Sequence, residues 1–191
     1  MLHAMPDRQL EAFLISLCER VSDLYTISAE LEHWQDKTLL IDAIDTLWKY
    51  LSDRNRRPVL RIRERLSKIA EESDQYRFVQ SHFCEFSLTC LDGTIGFIIN
   101  KSGSESAVSA VFDLLKSEFA YREYGYLDFG DDPRDMVLES EVMHDEMVAG
   151  ELAIQNRHLE LLRKSVDLLP ETVSRIRQQS SVHKSRVGIR H

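Results

Sequence analysis

The chain has 191 residues, 43% of them hydrophobic and 29% charged, with a formal net charge of −8 and a pI near 5.4. That length suits one domain with a buried core, and the composition excludes a disordered or collagen-like chain. The acidic balance opposes nonspecific binding to nucleic acid or to anionic membrane, because both carry like charge.

Only 7 Gly and 4 Pro punctuate the sequence, which favours long helices over short strands joined by turns. The three cysteines, Cys18, Cys84 and Cys90, form no C-x-x-C pair. Neither a disulfide framework nor a zinc cluster is expected, and a reducing cytoplasm is the simpler setting. Leu10–Cys18 is interrupted by Glu11 and followed by Glu19 and Arg20, so it does not read as a signal peptide. Thr94 to Ile99 is too short to span a bilayer.

Leu10, Phe13, Leu14, Leu17, Val21 and Leu24 recur at helical spacing and predict a first helix with one apolar stripe. Pro6 and Asp7 suit its first turn. A second helix is predicted from near Asp36 to Asp53, with Leu40, Ala43, Ile44, Leu47, Trp48 and Leu51 inward. Pro58 opens a third. Val59, Ile62, Leu66 and Ile69 form its apolar side, and Arg57, Arg61, Arg65 and Lys68 form a basic side next to it. A fourth runs from a cap at Asp74 toward Asn100, with Phe78, Val79, Phe83, Phe86 and Cys90 inward. Gly93 and Gly96 weaken that helix, and the β-branched stretch 94–99 also fits a strand. The Gly93-Thr-Ile-Gly96 segment is too short to cradle a phosphate and suits close helix packing.

Ser102 and Glu105 make a capping-box pattern ahead of a helix carrying Val108, Val111, Phe112, Leu115 and Phe119 and running out near Tyr121. Residues 121–132 then read as a loop. Asp132 and Pro133 start a long helix reaching about Leu168, with Leu138, Val142, Val148, Leu152, Leu159, Leu162 and Val166 on its stripe. After Pro170 a short helix occupies 171–179. The expected fold is all-α: a single-domain bundle of six or seven helices over residues 1–180, with a basic, mobile tail at 181–191. The apolar stripes fit an intramolecular bundle and a helical homo-oligomer equally well.

Three constellations bear on function. The first is Glu-x-x-His, present as Glu30 with His33 and Glu141 with His144. In ferritin-like bundles two such pairs and two further glutamates hold a di-metal centre, and Glu85 and Glu118 are available for the latter roles. With 17 glutamates and seven histidines such pairs also arise readily by chance. His144, Glu151 and His158 recur every seven residues, which on one helix stacks them along one side, at the boundary between buried and solvated faces.

The second is charge segregation. Residues 51–70 carry a net +5, and 175–191 carry five basic and no acidic residues, while the rest is acidic. A basic helix and tail can grip phosphates, or can simply form a solvated face. The third is the segment 121–132, which interleaves aromatic and acidic side chains. Such a segment is either a surface for a basic protein or a lid on the core. Tyr124, Tyr126, Asp128, Phe129, Asp131, Asp132, Glu139 and Glu146 are the candidate contact residues. G-x-S-x-G, Walker, H-E-x-x-H and glycine-rich nucleotide motifs do not occur.

Leu17-Cys18-Glu19-Arg20 followed by Tyr25 resembles the opening signature of the YjaG-like bacterial family, DUF416. A helix with Trp48 near its end, a cysteine-containing helix over Phe83–Leu91, an acidic helix over Glu139–Leu162 and a closing segment at 186–189 follow in the family's order. The resemblance implies an all-helical fold and a bacterial cytoplasmic setting. It implies no activity, and Cys18, Glu19, Arg20, Tyr25 and Trp48 come over as motif residues without a catalytic role.

The leading expectation is therefore a non-enzymatic, cofactor-free acidic helical protein that binds a protein partner, a basic one fitting its charge, as an immunity or antitoxin-type neutraliser does. The alternatives are a helical di-metal carboxylate enzyme and a nucleic-acid-associated regulator using residues 54–68 and the tail. Neither nucleic acid nor membrane is the expected partner.

Overall fold

The computed structural model describes residues 5–31, 36, 38–73, 79–124, 139–165 and 168–183. Among these the fold is all-α, with eight helices: α1 (Asp7–Leu31), α2 (Leu39–Asp53), α3 (Arg56–Ser73), α4 (Val79–Asn100), α5 (Ser104–Tyr124), α6 (Glu139–His144), α7 (Glu146–Lys164) and α8 (Pro170–His183). No described helix is long and apolar enough to cross a membrane.

α1 is the axis of the bundle. It packs against α2, α4, α5, α7 and α8, while α2 packs on α3 and α4 on α5. Its sequence predicts one apolar stripe, yet every residue from Gln9 to Ser22 is buried, including Glu11, Ser16, Glu19, Arg20 and Ser22. Neighbours on all sides leave no solvated face, so each polar side chain here needs a partner within the protein.

The predicted inward residues of α2 and α3 are all buried. α2 begins at Leu39 rather than near Asp36, and it ends on Arg54, whose φ of 57° is left-handed and whose N–H returns to the Tyr50 carbonyl. α4 is helical throughout, so residues 94–99 are not a strand. Ile95, Phe97 and Ile98 are buried there, and tertiary packing outweighs their β propensity.

The glycines of α4 serve the tight α4–α5 hairpin. A Cβ on Gly93 would lie 2.5 Å from the Gly103 carbonyl oxygen, and Gly103 itself has a φ of +92°. The helices approach there backbone to backbone, which only glycine permits.

Four further boundaries differ from the sequence reading. The Ser102 capping box does not form, because the Ser102 hydroxyl donates to Asn100 Oδ1 at 2.6 Å and α5 starts two residues later. Residues 121–124 continue α5 instead of opening a loop. The single long helix is broken at Asp145, whose extended backbone and side chain cap α7 by accepting from the N–H groups of Met147 and Val148. α8 runs to His183, so residues 181–183 are helical rather than tail, while 184–191 lie outside the described residues. The Asp74 cap, the Asp132–Pro133 start, Phe78, Leu138 and Val166 also lie outside them.

Candidate functional site

The polar residues of α1 reach four sets of neighbours. Near its N-terminus Glu11 is fully buried and gathers two cations and a phenol. Lys101 Nζ lies 2.9 Å from Glu11 Oε1, Arg54 forms two hydrogen bonds to the same carboxylate, and the Tyr50 hydroxyl donates to it at 3.3 Å. Arg54 also covers the Tyr50 ring at 4.5 Å, and Lys101 covers Phe97 at 4.7 Å. The hydrogen bond to Glu11 leads in raising the Arg54 pKa; for Lys101, Glu11 and Asp7 raise it against the opposing effect of burial.

Arg54 and Lys101 are the two non-glycine residues with positive φ among the described residues. Each ends a helix, and the left-handed turn there brings both side chains back onto α1.

Halfway along, Cys18 Sγ sits 3.7 Å from Cys90 Sγ and 3.3 Å from Thr94 Oγ1. The contact with Cys18, together with burial, holds the Cys90 thiol well above its ordinary range. None of the three cysteines is in a disulfide, and all are buried, as small core fillers are. The next residue, Glu19, accepts from the Trp48 indole N–H at 2.7 Å, which ties α1 to α2.

Arg20 makes a two-pronged ion pair with Glu151 of α7, both residues being buried. Gln155 donates to Glu151 at 3.0 Å from one turn later. Tyr25 donates its hydroxyl to the Asp36 carbonyl at 2.7 Å, and burial pushes its pKa upward. The five motif residues therefore join α1 to α2, α4, α7 and Asp36, three residues before α2.

A second polar cluster forms where α5 meets the α6–α7 break. Glu118 is buried and its pKa is pushed up to about 7, chiefly by burial, with Asp145 and Glu151 adding to the rise and Arg122 opposing it. Arg122 lies 3.9 Å from Glu118 and 2.8 Å from Asp145. Burial raises the Asp145 carboxyl, but Arg122 and the α7 N–H groups outweigh it and hold the pKa below the usual range.

The metal constellation is not assembled among the described residues, where no three His, Cys, Asp or Glu side chains gather as ligands would. Glu30, Glu85, Glu141 and His144 are exposed, Glu118 is buried, and His33 lies outside the described residues. The seven-residue line is interrupted as well. His144 ends α6 on the surface, whereas Glu151 and His158 lie buried on α7, so His158 is core rather than boundary.

Of the partner-contact candidates, Glu146 is exposed in the first turn of α7. Tyr124 ends α5 and Glu139 opens α6, while Tyr126, Asp128, Phe129, Asp131 and Asp132 lie outside the described residues. Sequence reasoning missed Glu11 as a hub. The one available signal was a carboxylate set between Leu10 and Ala12 in a strongly apolar helix.

Residues 1–84 match the family model described as "Protein of unknown function (DUF416)". The fold is similar to the crystal structure of a DUF416 family protein from Shewanella baltica OS155, with a TM-score of 0.73 and 21% identity over 94% of this chain and 90% of that one. No curated protein matches the chain.

Proposed function

With residues 1–84 matching the DUF416 family model and nearly the whole chain sharing the fold of a DUF416 family protein, we propose that this protein is a non-enzymatic binder of a protein partner. The observation that carries the reading is the use of the motif side chains. Cys18, Glu19, Arg20, Tyr25 and Trp48 are buried and each already engages another helix or backbone segment, which is a framework role. The chemistry turned outward is charge, with Glu123 and Glu146 exposed at either side of the Arg122–Asp145 ion pair. An acidic surface of this kind attracts a basic partner and speeds its association. Neutralisation of a basic protein, in the manner of an immunity or antitoxin protein, is the specific form proposed.

Tagged protein recovered from its native cell with chemical cross-linking tests the reading. A stoichiometric protein partner, released by moderate salt, is expected. Recovery of a monomer alone argues against it, and stoichiometric iron, manganese or zinc in the purified protein would favour the di-metal alternative.

A further inference from the structure

The outward face of α3 runs against the charge of the whole chain. Arg56, Arg57, Arg61, Arg63 and Lys68 are all exposed, and none forms an ion pair among the described residues. The helix's other arginine, Arg65, is the exception: it holds Asp36 and Asp42 at 2.8 and 3.1 Å. Among the described residues acidic groups pair with α3 at one position, and the other five cations are exposed. Leu60 sits among them with 43% of its surface exposed, flanked in sequence by Arg56, Arg57, Arg61 and Arg63. Residues 57, 60, 61, 64 and 68 share one side of the helix by their spacing.

We infer that this face of α3 docks an acidic protein segment that carries an apolar side chain, which seats on Leu60 between the arginines. Charge complementarity selects the sign of the occupant, and two further features select its class. An exposed apolar residue bordered at helical spacing by Arg56, Arg57, Arg63 and Glu64 fits the dry centre and polar rim of a protein contact, where a phosphate backbone has no group to place against it. Glu64, exposed on the same side, and the net charge of −8 both oppose an extended polyanion. This surface is separate from the acidic one proposed above and takes a partner of opposite charge.

The test uses the full chain and fluorescence anisotropy with three probes: an 18-residue helical peptide of glutamates and leucines, the same peptide with serine for each leucine, and a 20-base-pair DNA duplex. The Glu/Leu peptide is expected to bind tightest and to weaken as salt rises. R57E/R61E should lower its affinity at least ten-fold. L60S should lower it several-fold without changing the salt dependence, and should abolish the preference for leucine over serine. Because these side chains are exposed and form no ion pair among the described residues, both variants should melt within a degree or two of wild type. Failure of the wild type to bind the Glu/Leu peptide, equal binding by R57E/R61E, or DNA or the serine peptide binding as tightly would overturn the inference.

Discussion

Lys101 ends α4 in the left-handed conformation and places its ammonium 2.9 Å from the fully buried carboxylate of Glu11. Arg54 does the same from the end of α2, so two helix termini are fastened to one carboxylate on the central helix. Removing the carboxylate should therefore loosen both. E11Q should cost about 2–3 kcal/mol, toward the low end for breaking a buried pair, because Arg54 and Lys101 are each more than a third exposed and can turn to water. Urea denaturation measures the loss, and a change below about 0.5 kcal/mol would contradict the hub role.

The same geometry separates two substitutions of Lys101. K101A loses the ion pair and keeps a side chain at a φ of 63°, whereas K101G loses the pair and relieves the backbone. K101G should thus be the more stable of the two by up to about 1 kcal/mol. Thermal melts of both variants decide it.

At the α4–α5 contact, G93A should destabilise by about 2 kcal/mol or more, since the new methyl meets the Gly103 carbonyl and the Ala107 amide, both backbone. G150A is the control. Nothing lies within 4 Å of its Cβ, and alanine is the better helix former, so that variant should be slightly stabilised.

Glu118 gives the chain a pH signature. Its pKa near 7 in the folded protein exceeds the ordinary 4.5, so the folded state holds more proton than the unfolded state between those values. Stability contributed by this group is therefore present at low pH and falls as pH rises through 4.5 to 7, by at most about 3 kcal/mol. E118Q removes the dependence. Relative to wild type it should gain stability as pH rises from 5 to 8, as read from urea midpoints. Parallel curves for the two proteins would contradict the assignment.

The Arg20–Glu151 pair should behave as a unit. E151L leaves a buried guanidinium without its partner and should cost several kcal/mol, while R20M/E151L should cost less than E151L alone. A double-mutant cycle checks this, with additivity as the contradicting result.

The helices were legible because apolar spacing survives in the sequence: Val59, Ile62, Leu66 and Ile69 are buried as their periodicity predicts. What escaped were features created by distant groups. Asp145 breaks the long helix because its carboxylate caps α7 and meets Arg122, and periodicity across residues 142–148 does not reveal that. Residues 94–99 look β-branched alone and become helical because Gly93 lets α5 lie against α4. The burial of Glu11, Glu19 and Arg20 depends on partners 29 to 131 residues away, beyond any local pattern. The Glu-x-x-His spacing, by contrast, was visible in the sequence, but Glu141 and His144 are exposed on a short separate helix, which local spacing does not reveal.

We propose that the motif residues are framework and that a partner binds the charged surface. The most direct measurement compares partner recovery by wild-type protein, E123K/E146K and W48F in parallel, each with its melting temperature. Surface binding predicts a stoichiometric partner that E123K/E146K loses at an unchanged melting temperature, and that W48F retains despite a lower one. Loss by W48F under conditions where it is fully folded, with retention by E123K/E146K, would contradict it.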